Sequence, residues 1–133
     1  MTFLDEIRAR AVAQGINTAV IFLSSMTVIP TGAGPYLLLR ETGGSGPERT
    51  QNAAGAAYQR PSLQYVAVAS AYTAARTLAR SFYDAVVGVR NETLSGTWYR
   101  EIIMLQEPFD LGPDALNRAQ VAGNLTCVKR PSA

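Results

Sequence analysis

Two stretches of the chain repeat apolar residues with the period of an α-helix. In residues 2–15, Thr2 and Asp5 form a near capping box at the start, and Gly15 is typical of the position just after a helix. In residues 72–88 one face is apolar, another carries Thr, Arg and Asp, and a glycine marks the end. The pattern predicts one helix at the start of the chain and a second, better defined one beyond its middle.

Five other stretches have the composition or the alternation of β-strands. Residues 18–25 are rich in β-branched residues and almost continuously apolar, as in a strand that is covered on both faces. The other four runs are residues 36–42, 63–70, 97–106 and 118–129. In the run 97–106, the alternation places four residues on one face of the strand: Trp98, Arg100, Ile102 and Met104. We predict a turn at residues 91–96 and a loop at residues 108–118.

The order of these elements decides between sheet architectures. A doubly wound parallel sheet needs helices between successive strands, and this chain has too few helices, unevenly placed. We therefore predict an α+β fold, a mostly antiparallel sheet of about five strands with two α-helices packed on one face. The 133 residues are most simply one domain that can bury its own core.

The second predicted strand, residues 36–42, is apolar on both faces because three leucines follow one another. The helices cover only one face of the sheet. The other face needs a separate cover, and a second subunit is one candidate for it.

The segment between the second and third strands, residues 43–62, is long and rich in glycine. Such a loop can cradle a phosphate, tether a disordered segment, or form an arm that contacts another chain. It lacks the Gly-Lys-Ser/Thr ending of a phosphate loop, and it leads through Pro47 into a strand rather than a helix. Tyr58, Arg60 and Pro61 are residue types that are common at interfaces. We therefore predict a long extended loop or β-arm that contacts a neighbouring chain.

Composition argues against several classes of function. With 47% apolar and 17% charged residues the chain is typical of a globular protein. No apolar run reaches the roughly 20 residues of a membrane-spanning helix, and the first residues do not resemble a signal peptide. Without His, and with Cys127 as its one cysteine, the chain has no evident pair of base and nucleophile. We expect no enzyme activity, no catalytic residues, no metal, no cofactor, no small-molecule substrate and no membrane partner, with assembly in a cytoplasm.

The basic residues are eleven Arg and one Lys, in a chain whose net charge is +2. Arg76 and Arg80 lie one helical turn apart, and Asp84 is placed to neutralise Arg80. A small free-standing nucleic-acid-binding module therefore stays an alternative, although sequence-specific binding is not expected.

Four short segments, taken in order, carry a resemblance that covers about residues 16–131. They are "YLLLRETGG", "TQN", "YQRP" and "LQEPFDLG". In them the chain resembles the tail terminator or minor capsid proteins of long-tailed (siphovirus-type) bacteriophages. The resemblance implies a sheet with helices on one face, no catalytic motif, and a structural role in the virion. It also implies a hexameric ring that caps the head-proximal end of the tail tube, stops tube polymerisation and joins the tail to the head neck.

The partners that the resemblance implies are further copies of the chain, the tail tube protein, and a head-completion or stopper protein of the neck. Genomic DNA passes through the lumen of such a ring, where Arg76 and Arg80 would contact it passively if their helix lines that lumen. A role as the head-completion or stopper protein itself, on the portal side, stays an alternative. Our candidates for the interface with another subunit or partner are Leu37, Leu39, Arg40, Glu41, Thr42, Arg49, Thr50, Gln51, Asn52, Tyr58 and Arg60.

Overall fold

The computed structural model describes residues 2–24, 28–48 and 58–131, with the backbone alone at 45–48. The helices are α1, Phe3–Ala13, and α2, Tyr72–Val86, and a 3-10 turn spans Thr18–Val20. The strands are β1 Ile21–Leu23, β2 Tyr36–Glu48, β3 Tyr58–Ala69, β4 Arg90–Leu94, β5 Thr97–Met104, β6 Phe109–Pro113 and β7 Ala119–Lys129. Neighbouring strands follow the order β1-β2-β3-β7-β5-β4, and β6 also pairs with β7. Only β1 and β2 pair in parallel among these strands, so the predicted α+β fold is confirmed.

Helix α1 begins as the sequence predicts. The Asp5 backbone N–H donates to the Thr2 hydroxyl at 3.2 Å, and the Thr2 N–H donates to the Asp5 carboxylate at 3.0 Å. This reciprocal pair satisfies two backbone donors that a helix start leaves without partners. The helix ends at Ala13, and Gly15 follows with a φ of 103°, which glycine adopts without strain.

Helix α2 packs across β3 and β7 on the same face of the sheet as α1. Its inward stripe is Ala75, Ala79, Phe82 and Val86, all without exposed surface. The Phe82 ring lies against the Tyr65 ring of β3, with 4.8 Å between centroids. The small alanines let the helix approach the strands closely. Because α1 and α2 pack on the same face of the sheet, the predicted placement of both helices is confirmed.

Tyr65 fills the space above Gly123 of β7. A Cβ atom at Gly123 would come within 2.2 Å of the Tyr65 hydroxyl oxygen, so glycine is required there. The hydroxyl is buried, and within the described residues no group accepts or donates a hydrogen bond to it. Burial also raises the pKa of Tyr65 to about 12.

Because a buried hydroxyl without a partner costs about 1–3 kcal/mol, Tyr65→Phe should not destabilise the protein and should stabilise it by about 1 kcal/mol. Urea denaturation of the two proteins measures this difference directly. A loss of more than about 1 kcal/mol would show instead that an ordered water satisfies the hydroxyl.

The second face of the sheet is covered in part by this chain. Val66, Val68 and Ala122 are buried there, and Leu38, Ile29 and Phe109 pack against them. The alternation of the leucines is therefore as predicted, with Leu38 on this face and its two neighbours on the helix face. No second subunit is needed to bury this cluster.

Strands β5 and β6 lie end to end along one edge of β7. Residues Tyr99–Met104 pair with the Leu125–Lys129 half of β7, and Phe109–Pro113 pair with its Ala119–Ala122 half. The loop predicted at residues 108–118 is therefore wrong in its first part. The sequence does not indicate this strand, because Pro108, Gly112 and Pro113 are residue types that favour turns.

The predictions for residues 91–96 and for the face of β5 also need correction. Residues 91–94 belong to β4, and the turn is confined to Ser95 and Gly96. A β-bulge between Tyr99 and Glu101 shifts the alternation of β5, so the four residues predicted to share a face do not. The buried positions of the strand are Thr97, Tyr99 and Ile102.

A buried ion pair joins α1 to the end of the sheet. Lys129 Nζ lies 3.2 Å from Glu6 Oε1, and the two side chains are 2% and 1% exposed. The Tyr99 hydroxyl donates to the same oxygen at 2.7 Å, and the Thr97 hydroxyl donates to the other carboxylate oxygen. Burial alone would raise the pKa of Glu6, but these two hydroxyls and the Lys129 charge outweigh it, and the pKa lies below its ordinary value.

Stability should therefore fall in acid. A carboxyl whose pKa is lower in the folded chain stabilises it above the ordinary pKa of 4.5, and this contribution is lost as pH falls through the lowered value. The lowered pKa values of Asp5 and Asp114 act in the same direction. We expect the urea midpoint to drop between pH 7 and pH 3, and to drop less in Glu6→Gln. An equal drop in both proteins would exclude Glu6 as a source of the acid sensitivity.

Candidate assembly interface

The segment predicted as a loop or β-arm continues the sheet from both sides. Strand β2 runs to Glu48 and β3 starts at Tyr58, and the pairing between them extends as far as Glu48 opposite Tyr58. Residues 43–48 and 58–62 are thus the two strands of a hairpin, which we call the arm. The prediction of a β-arm is confirmed for these residues, and its remainder, 49–57, lies outside the described residues.

Two glycines shape the base of the arm. Gly43 and Gly44 have φ values of 89° and 138°, and the β2–β3 pairing slips by one residue between Glu41 and Gly43. A Cβ atom at Gly44 would lie 2.1 Å from the Arg60 carbonyl oxygen. The glycines therefore serve a β-bulge, which bends and twists a hairpin, rather than a phosphate site.

An aromatic and basic cluster lies at the outer end of the described arm. The Tyr58 ring is 6.2 Å from the Trp98 ring of β5, and the Arg130 guanidinium stands over Trp98 at 4.9 Å. Tyr58 and Trp98 are half-buried and Arg130 is exposed. Tyr, Trp and Arg are the residue types that dominate binding energy in protein interfaces.

The predicted interface residues fall into three groups. Leu37 and Leu39 have 0% exposed surface in the helix-side core, so they are corrected to core residues that no partner can touch. The second group is at least partly accessible: Arg40, Tyr58 and Arg60 are half-buried, and Glu41 and Thr42 are exposed. The Nε of Arg40 donates to Gln64 at 2.9 Å. The third group, which lies outside the described residues, is Arg49, Thr50, Gln51 and Asn52.

Part of each of two sheet edges, one at either end of the strand order, has no second strand beside it among the described residues. Strand β1 pairs with β2 only at Leu37–Leu39, so residues 40–48 have no outer partner among the described residues. At the other end of the sheet, β4 pairs with β5 alone in the same part of the chain. Unpaired edges present free backbone N–H and C=O groups, which are a template for another strand.

Arg76 and Arg80 lie on the exposed side of α2, and both guanidinium groups form hydrogen bonds or ion pairs with other residues of the chain. Arg76 donates to the Pro108 carbonyl at 2.6 Å, and Arg80 pairs with Glu107 and, at 3.4 Å, with Asp84. These contacts leave little free positive charge, as the sequence indicated for Asp84. They weaken the hypothesis of a nucleic-acid-binding module, which requires a basic surface.

Arg118 orders a surface that the sequence did not reveal. It is 8% exposed and pairs with Asp114 at 2.8 Å, and it donates to the carbonyls of Pro30 at 2.6 Å and Gly32 at 3.1 Å. One guanidinium thus fixes the segment before β2 to the turn before β7. The only sequence signal was an Asp and an Arg four residues apart.

Two further properties of the described residues bear on function. No group of three or more His, Cys, Asp or Glu side chains in this part of the chain could hold a metal ion. None of its helices is long and apolar enough to cross a membrane.

No protein-family model matches the chain, and no curated protein matches it either. Its fold is similar to that of a chain in a solved structure described as "Virion of native gene transfer agent (GTA) particle". The TM-score is 0.67 and the sequence identity 16%, and the match covers 96% of this chain and 91% of that one. At this identity the similarity establishes the shared fold.

The similarity extends over nearly all of both chains, so it concerns the whole fold and not one part of it. The fold positions the arm at one end of the sheet and β4 at the other, and each has an edge without an outer strand among the described residues. Edges of this kind can assemble chains.

Proposed function

We propose that this chain is a structural, non-enzymatic virion protein that acts as a tail terminator. In this role it forms a ring on the head-proximal end of a phage tail tube, stops tube polymerisation and joins the tail to the neck. The observation that carries the proposal is the arm, whose outer edge has no partner strand among the described residues and lies at the opposite end of the sheet from the outer edge of β4. The partners are further copies of this chain, a tail tube protein and a neck protein.

Two further observations support a structural role in a virion. The segments that resemble tail terminators span most of the sequence, and the similar chain of known structure is part of a gene transfer agent virion. A ring needs two different patches on each subunit, and the two sheet edges differ in length, in neighbouring elements and in charge. We place the protein in the tail or neck of the particle, after assembly in the host cytoplasm.

Tail length tests this function. If the chain terminates the tube, particles assembled without it should carry tubes longer than the normal length, because nothing stops polymerisation. A head-completion or stopper protein predicts another result: tails of normal length that fail to join heads. Electron microscopy of lysates with and without the chain distinguishes these outcomes, and normal tails joined to heads would contradict both roles.

A further inference from the structure

Strand β4 forms one wall of a groove, and helix α1 forms the other. The groove has a volume of ≈ 270 Å³ and is lined by Ala9, Arg10, Ala13, Glu92, Thr93, Leu94 and Ser95. This volume is below the range of about 300–1,000 Å³ that is typical of small-molecule pockets. It is suited to a few side chains from an extended segment lying along β4.

The walls of the groove are fixed by contacts within the chain. Arg10 donates to the Ala85 carbonyl at 3.0 Å and pairs with Glu92 at 2.9 Å, which ties α1 to both α2 and β4. Ala9 and Ala13, one helical turn apart, leave the space open because they have no side chain beyond Cβ. An edge strand beside a helix is the arrangement in which added strands bind, through backbone hydrogen bonds to the edge and side chains in the groove.

We propose that this groove receives the outer edge of β2, residues 40–48, from the adjacent copy of the chain. The inference rests on the proposed ring, and it adds the receiving surface and the mode of contact. The two edges terminate the same sheet, so each copy would use one edge on each side. Such a contact is heterologous, and repeated around an axis it can close into a ring joined by continuous sheet.

Charge supports this pairing. The Glu41 carboxylate on β2 is exposed and makes no ion pair within the described residues, while Arg90 on β4 is 78% exposed and reaches Glu101 only at 4.0 Å. A Glu41–Arg90 contact between copies would contribute little affinity, because exposed ion pairs are worth about 0–1 kcal/mol. Its effect would be to set the register of the two strands and to disfavour wrong pairings.

The alternative in which β4 pairs with β4 of another copy is less well supported. The strand has five residues, and Asn91 within it has a φ of 51°, so a symmetric pair would join two short, interrupted edges. The part of β2 that has no outer strand among the described residues is longer, because it spans residues 40–48.

Chemical cross-linking tests the proposal. In the double variant Thr42→Cys with Thr93→Cys, both positions are exposed, and a short bis-maleimide should link successive copies into a ladder that ends at the size of the ring. Native Cys127 will not interfere, because burial raises the pKa of its thiol to about 12. The control is Thr42→Cys with Ser81→Cys, in which Ser81 lies on the exposed side of α2 and should give no ladder.

A second variant tests the groove without cysteine chemistry. Ala9→Trp should fill the groove and prevent ring formation, whereas Val12→Trp, on an exposed position of the same helix outside the groove, should not. Thermal melting of the isolated chains verifies that both variants fold.

The outcomes separate the inference from the proposed function. Rings seen by electron microscopy that show no Thr42–Thr93 ladder, or that survive Ala9→Trp in a folded chain, would overturn the β2–β4 contact and leave the tail terminator role intact. If Thr93→Cys alone is cross-linked only as far as a dimer, β4 pairs symmetrically with β4 of a second copy. This result would also overturn the β2–β4 contact. A chain that stays single both in solution and in assembled particles would overturn the inference and the function together.

Discussion

Replacing residues 46–59 with Asn-Gly should leave the chain folded and abolish ring formation. Ser45 and Arg60 are directly paired, so a two-residue turn can join them without disturbing the rest of the sheet. The core on both faces of the sheet lies outside the replaced segment, whose described residues are half-buried or exposed where their side chains are placed. The variant also removes residues 46–48, the outer third of the β2 edge, and Tyr58.

Electron microscopy for rings and a thermal melt of the isolated chain measure the two parts of this prediction. An equal-length Gly-Ser replacement of residues 53–57 is the matched control, because it retains both strands of the arm and the candidate interface residues 49–52. We expect rings in the control and none in the shortened variant. Unchanged rings in the shortened chain would exclude the arm from assembly.

The second large effect is expected at the buried ion pair. Lys129→Met retains most of the side-chain volume and leaves the Glu6 carboxylate buried without its cation. Breaking a buried pair from one side typically costs about 3–5 kcal/mol, a large share of the 5–15 kcal/mol that stabilises an ordinary domain. Urea denaturation should therefore show a strongly lowered midpoint.

Two further variants show whether that loss of stability comes from the negative charge that Glu6 would carry in the core without the Lys129 cation. Glu6→Gln combined with Lys129→Met should be less destabilised than Lys129→Met alone, because no buried carboxylate remains. Arg8→Met, which removes a more exposed pair with Asp5 at 3.1 Å, should cost less than about 1 kcal/mol. A double variant as unstable as the single one would assign the loss to the contacts of the Lys129 ammonium with the rings of Phe3 and Tyr99, each 5.6 Å away.

Local signals predicted the helices well. The capping box at Thr2 and the helical period of residues 72–86 depend on residues close in sequence, and tertiary contacts leave them unchanged. The α+β class followed from element order alone. The sequence also predicted which residues of β2 and β3 lie on the second face of the sheet, because Leu38, Val66 and Val68 alternate with the helix-side residues.

The errors arise where pairing is decided by distant residues. Strands β4 and β6 contain Asn, Asp, Gly and Pro, and they are strands because β5 and β7 offer them edges. The bulge between Tyr99 and Glu101 reversed the predicted face of β5, since one extra residue inverts a period of two.

The candidate interface was predictable only in part. The arm followed from the length and composition of its segment, but the burial of Leu37 and Leu39 and the engagement of Arg40 by Gln64 depend on the finished sheet. The groove beside β4 has no sequence signal, because it is made by two alanines of α1 and a polar strand more than seventy residues away.

A cryo-EM map of particles that contain the chain tests the central claim most directly. The account predicts copies of the chain in a closed ring at the head-proximal end of the tail tube, with the arm of each copy against its neighbour. A map that places the chain elsewhere in the particle, or as isolated copies without contact between their sheets, would contradict it.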